Sequence, residues 1–377
     1  MMICIVTPFF NKNPDVSRPS FVRQTLLEKG YDVITITSEF SHTEKCNVHY
    51  DDEDIISVTT LPYKSNTSLV RFLSHIILSF SLFLRAFSYR KKIDIFYVTA
   101  PFALTALLMK IFIRKKIILD IIDFWPDSLP FSDNVIIRPF LFFWSKINLL
   151  SCSKSDFVIS LSSAFLNLAR AEKSRQIQFG ARSKGLVRVN RELDYSYGLR
   201  MFYIGNIGSL YDFDTLVDSL KDFRGDVKLE IVGVGDRKEQ LLNRLRANNI
   251  SFSYHGVVYD EDRLKEIASL CNIGFNGYLN TNASFSYKAL SYFSYGLPII
   301  NSMNGDIYSM VSKYSLGVNY TMGDKLSLSK AINNLSTMNF FSLTDSVSSF
   351  FDKNLDSNEV SKEILDIFEE VFNEKTV

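Results

Sequence analysis

Lys288 and Ser291 stand three apart in "FSYKALSYFSYGLPIIN", residues 285–301. On a helix that spacing places both on one face. The run ends at Gly296-Leu297-Pro298, ahead of an apolar strand, and a polar loop, "NGYLNTNAS", precedes it. The neighbours of Lys288 are apolar or aromatic. A compact ammonium in such a place suits phosphate; a solvated surface lysine is the alternative. "FYIGNIGSLYDFDTL" supplies a second piece: a strand-like run stops at Gly205-Asn206-Ile207-Gly208, Ser209 follows, and a helix starts soon after. Glycine lets backbone approach a ligand, and free N–H groups at a helix start favour an anion. Glycine serving only the turn is the plain alternative. Gly233 opens "GVGDRK", which has Lys238 where a dinucleotide fingerprint has its third glycine, and reads as a tight turn lining the same site. Asp123 and Asp127 bracket Trp125 after a predicted strand. Asp123 could face a ligand hydroxyl, or the pair could cap a turn around a buried tryptophan.

Composition narrows the classes. The net charge of +1 argues against a nucleic-acid partner. Charge is uneven: 25 Lys+Arg face 18 Asp+Glu up to Asp194, and 17 face 23 beyond it. A basic first half suits an anionic neighbour such as acidic lipid or a lipid-linked phosphate, with ordinary surface drift as the alternative. Cys4, Cys46, Cys152 and Cys271 lie far apart, which fits a reducing, cytoplasmic setting. The histidines show no metal-ligand spacing, and Asp212-x-Asp214 and Asp260-x-Asp262 sit where helices begin, so they read as N-caps; no metal and no cofactor are expected. "MMICIVTPFF" reads as a first strand rather than a signal peptide. In residues 68–92 the longest run without a charged residue or His is Ile76 to Leu84, too short to span a bilayer. That segment reads as a buried domain helix or as one lying on a membrane surface.

These residues need elements to position them. Up to about residue 170, strand-like and helix-like runs alternate, and the strands are nearly continuous apolar stretches such as "DIFYVTAP" and "KKIILDIID". Strands of that kind belong to parallel sheets covered on both faces. The pattern dissolves between about Ala171 and Leu199 and restarts with "RMFYIGNIG". The expected fold is α/β: two tandem Rossmann-like domains facing a cleft, residues 1–180 and 198–357, with a terminal helix over 358–374 able to pack back on the first.

The run "SYKALSYFSYGLPII" resembles the S-K-x-x-E-Y-x-x-x-G-x-P-I-I block of retaining GT-B glycosyltransferases of family 4, and "FYIGNIG" resembles their donor-phosphate turn. "KIDIFYVTAPFALTAL" and "ILDIIDFWPDSL" are similar to the branch that builds bacterial capsule and O-antigen chains. The resemblance covers about Met1 to Asn319. It implies a nucleotide-diphosphate sugar donor on the second domain and a lipid-linked oligosaccharide acceptor on the first, transfer with retention, and attachment to the inner face of the cell membrane. It would give Lys288 and Asp123 catalytic roles. Gly205, Asn206, Gly208, Ser209, Gly233 and Ser291 would hold the donor, and Gly256, Val257 and Val258 would receive the base. The chain departs from the pattern. Two glutamates with seven residues between them are replaced by Ala283 and Ser291, an Arg and a Lys after the first turn by Asn206 and Asp212, and a histidine is missing from "YVTAPF". Those losses motivate a second reading, a non-catalytic relative that binds nucleotide sugar or partner enzymes. A two-domain nucleotide-sugar epimerase is a third.

Overall fold

The computed structural model describes the chain except residues 43, 65–68, 102, 126–137, 185–197, 280–283 and 375–377. It divides into two compact units, Met1–Gly180 with Val360–Val377, and Ala181–Glu359.

In unit 1, β1 (Met2–Thr7), β2 (Asp32–Ser38), β3 (Ile55–Val58), β4 (Ile95–Ala100), β5 (Lys116–Ile121), β6 (Phe157–Ser160) and β7 (Ser174–Gln176) form one parallel sheet in the order β3-β2-β1-β4-β5-β6-β7. Ile3 is in register with Val33 on one side and Ile95 on the other. Every residue of β4 is buried, because helices cover both faces. Side chains alternate across the sheet. Cys4, Val6, Phe96 and Leu119 meet Leu78 and Leu82 of α2 (Leu69–Tyr89) and Met109 of α3 (Leu104–Phe112). Ile3, Ile5, Tyr97 and Ile118 meet Leu26 of α1 (Arg18–Glu28) and Ile364, Phe368 and Val371 of α13 (Ser357–Asn373).

A polar knot lies within this core. Arg18 Nε donates to Asp120 Oδ2 at 2.5 Å, and Arg18 Nη1 donates to the carbonyls of Ile177 and Gln178. The Tyr97 hydroxyl also donates to Asp120. Both ions are buried, so α1, β4, β5 and the chain leaving β7 are tied to one carboxylate.

Helix α2 corrects one expectation. By length and composition Val70–Tyr89 is long and apolar enough to cross a membrane, since charges at Arg71 and Arg85 near its ends do not shorten it. A third of that stretch is buried. Ser74, His75, Leu78, Ser79 and Leu82 face the domain, while Val70, Leu73, Ile77, Phe80 and Leu84 are exposed at helical spacing.

In unit 2, β8 (Leu199–Ile204), β9 (Val227–Val232), β10 (Ser251–Tyr254), β11 (Ile273–Asn276), β12 (Ile299–Asn301) and β13 (Gly317–Asn319) form a second parallel sheet, order β10-β9-β8-β11-β12-β13. The order reverses between β8 and β11. Open sheets of this kind take ligands at the carboxyl ends of the strands beside such a reversal. Helices α6 (Phe213–Leu220) and α9 (Tyr287–Ser294) follow β8 and β11, and so flank the reversal.

Candidate functional site

Three loops interlock at the carboxyl edge of the unit 2 sheet. The Gly205 N–H donates to Val232 O, the Ile207 N–H to Val234 O, and the Gly233 N–H to Gly256 O at 2.7 Å. Gly233 has φ +135°, and a Cβ there would lie 1.8 Å from the Gly205 carbonyl. No side chain fits between the loops, so glycine is required by the close approach of backbone to backbone. Gly205, Asn206, Gly208, Ser209, Gly233, Gly256, Val257 and Val258 all belong to this edge. Asn206, Ser209 and Val257 are exposed, while Gly208 and Gly233 are buried.

Across the strand reversal, α9 is fixed from its first turn. Asn276, Asn301 and Asn319 end adjacent strands in register. Asn276 Nδ2 donates to Asn301 Oδ1 and Asn301 Nδ2 to Asn319 Oδ1, at 2.8 and 2.7 Å. Ser286 Oγ donates to Asn276 Oδ1 at 2.7 Å and caps α9 by accepting from the Ala289 N–H. Further along, the Tyr292 hydroxyl donates to Phe275 O and accepts from the Ile204 N–H. Gly274 leaves room for its ring.

This framework delivers Lys288 to the Gly205 turn. A Cβ built on Gly205 would lie 3.5 Å from Lys288 Cδ and 3.6 Å from Nζ. Lys288 is 8% exposed, and its ammonium stands 3.6 Å from the Tyr211 ring centre, 4.7 Å from that of Tyr278 and 5.6 Å from that of Tyr203. Among the described residues no carboxylate pairs with it. Aromatic faces return only part of the hydration energy that an ammonium loses. Burial accordingly lowers the lysine pKa to about 7. A buried lysine beside the partly exposed Gly205 turn is placed to receive an anion.

Other expected residues fare differently. Ser291 donates to the Tyr287 carbonyl of its own helix at 3.0 Å. Asp260 caps α8 (Glu261–Ser269) by accepting from the Arg263 N–H. Asp212 holds the N-cap position of α6 without a side-chain cap bond, a correction to its expected role. Its buried carboxylate accepts from the Tyr320 hydroxyl and the Gly323 N–H. Asp214 pairs with Arg237 and Arg244. Among the described residues no metal-binding cluster occurs. Asp127 and Ala283 lie outside the described residues. A concavity of unit 2 lies at the amino edge of the sheet, lined by Gly198, Asp226 and Asn333.

Asp123 belongs to unit 1, just beyond β5. Its side chain reaches solvent, yet crowding by protein atoms raises its pKa above the usual carboxylate value while the charge of Arg71 opposes the shift. Arg71, from α2, lies over the Trp125 ring at 4.4 Å. The Trp125 carbonyl accepts from Asn148 of α4 (Arg138–Lys154). Sequence reasoning missed Arg71 here, and missed the tyrosines around Lys288. The one available signal was aromatic residues beside the glycine loops, in "GSLYDF" and "FNGY".

Residues 199–338 match the family described as Glycosyl transferases group 1. No curated protein sequence matches the chain. Among solved structures it is similar to sucrose-phosphate synthase from Thermosynechococcus elongatus, at 14% identity and TM-score 0.68 over 98% of this chain and 99% of that one. The Anabaena Alr3699/HepE protein in complex with UDP matches at 13% identity and TM-score 0.68, over 98% and 100%. The lipopolysaccharide outer core galactosyltransferase WaaB, in its apo form, matches at 14% and 0.67, over 98% and 100%. The fold is GT-B. Within this GT-B chain, Lys288, the Gly205 turn and the three tyrosines all fall inside the matched segment 199–338.

Proposed function

We propose that the protein is a retaining glycosyltransferase that takes a sugar from a nucleotide-diphosphate donor held on unit 2. The acceptor, held on unit 1, is a lipid-linked glycan of a surface polysaccharide such as capsule or O-antigen. The observation that carries the donor half is Lys288, buried against the Gly205 turn in a box of tyrosines. Its charge would stabilise the diphosphate as it leaves, which is electrostatic work that needs no nucleophile. Solved relatives in complex with UDP and with UDP-glucose make UDP the first nucleotide to test. The experiment is release of UDP or GDP from nucleotide sugars, with and without a lipid-linked acceptor. Acceptor-dependent release supports the reading, and nucleotide binding with no release favours a non-catalytic relative. That second reading draws on Ser291, whose hydroxyl is occupied by its own helix where the resembling family has a glutamate. Within the enzyme reading, Asp123→Asn is expected to lower transfer far more than donor affinity and to leave the melting temperature unchanged. Equal losses in both would return Asp123 to a structural role.

The setting we propose is the inner face of the cell membrane. The exposed stripe of α2 is joined by Phe112 on α3, which touches Phe83, and Phe142 and Phe143 on α4 are exposed as well. None of α2, α3 and α4 contains an acidic residue, and together they carry Arg71, Arg85, Lys146 and Lys154, besides Lys110, which pairs with Asp156. An apolar face free of acidic residues complements a bilayer with anionic lipid. Co-sedimentation with acidic vesicles at low salt is expected, weakened by added salt and by Phe80→Glu. No co-sedimentation at low salt would remove the membrane from the proposal.

A further inference from the structure

Unit 1 has its own strand reversal, between β1 and β4, and loops from neighbouring strands gather charged and aromatic groups near it. His42 and Lys45 follow β2, Tyr63 follows β3, Phe9 follows β1, and Trp125 follows β5. Arg71 and His75 come from the first turns of α2. The Tyr63 hydroxyl lies 2.6 Å from His42 Nδ1, and Lys45 Nζ lies 3.4 Å from the same nitrogen. Arg71 Nε donates to His75 Nε2 at 3.4 Å. Tyr63 is shared by both cations, with Lys45 Nζ 4.7 Å and Arg71 Cζ 5.9 Å from its ring centre. Phe9 packs on both imidazoles.

The chemistry of these contacts is specific. Ammonium and guanidinium can only donate. The His75 nitrogen that receives Arg71 must offer its lone pair, so that imidazole is neutral and an acceptor, while the one lone pair of His42 Nδ1 lies nearer the Tyr63 hydroxyl, at 2.6 Å, than Lys45, at 3.4 Å. Burial first, then the neighbouring cations, lowers His42 to about 4 and His75 to about 3. The pKa values of Lys45 and Arg71 are lowered by burial as well, that of Lys45 also by Arg71. Tyr63 and Asp123 act on Arg71 in the opposite direction. Arg71 is thus aimed by His75, and Lys45 shares the Tyr63 ring with it beside His42, at a partly open strand edge. An oxyanion would relieve their repulsion.

We infer that this edge of unit 1 is an oxyanion site, in which Arg71 and Lys45 bind a phosphate or pyrophosphate group and His75 is a positioning residue that orients Arg71. The proposed function bears only on the source of the group, which would be the phosphate of a lipid-linked acceptor. Free phosphate shares the chemistry. Failure of UDP to bind at Lys288 would sink the donor reading and leave this site standing.

Both tryptophans of the chain report on it, since Trp125 lies under Arg71 and Trp144 is 6.1 Å from Trp125. Tryptophan emission of the full chain is expected to change saturably on titration with inorganic pyrophosphate, and with a short-chain prenyl pyrophosphate below its micelle threshold. Tighter binding of the prenyl form identifies a lipid-linked source, and equal affinity identifies the free ion. Arg71→Gln is expected to weaken either probe roughly tenfold to a hundredfold. Arg85→Gln on the same helix is expected to bind inorganic pyrophosphate as the unchanged protein does. If the Arg71 variant fails to fold, Lys45→Gln takes its place and is expected to weaken binding at least threefold. No saturable change with either probe, or unaltered affinity in the folded variant tested, overturns the site.

Discussion

Replacing Lys288 with Ala is expected to weaken nucleoside-diphosphate binding roughly tenfold to a hundredfold, the range of a charge-assisted contact to phosphate. Transfer should fall further if the charge meets the leaving diphosphate more strongly than the bound donor. Lys288→Arg should rescue only in part, since a planar fork does not fit a tyrosine box built around an ammonium. Calorimetric titration with UDP and GDP decides it, and unchanged affinity would reduce the lysine to a core residue. The same side chain predicts a pH dependence. Its pKa is about 7 in the fold, and an anion beside it would raise that value. Above pH 7, binding would therefore take up a proton, and affinity should fall as pH rises.

Stability should move the other way. Between the folded pKa of about 7 and the ordinary lysine value of 10.5, the unfolded chain holds a proton on Lys288 that the folded chain has lost. Stability from this group therefore rises with pH across that window. Lys288→Met is expected to stabilise the free protein at neutral pH, by an amount on the order of 3–5 kcal/mol, and the advantage should shrink toward pH 10. A constant difference between the two proteins from pH 7 to 10 would contradict a buried, titrating lysine.

The largest expected loss of stability lies in unit 1. Arg18→Met leaves Asp120 fully buried and short of its main partner. Breaking a buried pair from one side costs about 3–5 kcal/mol. Removing both ions is expected to cost far less, because the pair is imperfect: among the described residues Arg18 Nη2 and Asp120 Oδ1 have no hydrogen-bond partner. Arg18→Met with Asp120→Leu should therefore unfold in urea closer to the unchanged protein than Arg18→Met alone does. If the double replacement is as damaging as the sum of the single ones, the guanidinium bonds to Ile177 and Gln178 matter more than the ion pair.

The α/β class with parallel sheets was legible in the chain itself. Runs such as "IFYVTA" have no polar face because helices cover both sides of β4. Gly205 and Gly233 were readable as special positions, since strand-ending glycines signal close backbone approach. Residues 306–354 were not legible: α10 (Asp306–Tyr314), α11 (Lys325–Leu335) and α12 (Phe340–Asn354) are rich in Ser and Asn, which weaken a helical pattern. What Lys288 faces was decided only by tertiary structure. Tyr203, Tyr211 and Tyr278 belong to segments on either side of two intervening βα units, and they meet because β8 pairs with β11 at the strand reversal. Arg71 reaches Trp125 for a similar reason, its helix returning over a sheet whose order the local sequence does not encode. Periodicity fixes which face of an element is buried, while the order of strands in a sheet fixes which loops become neighbours, and long-range pairing alone sets that order.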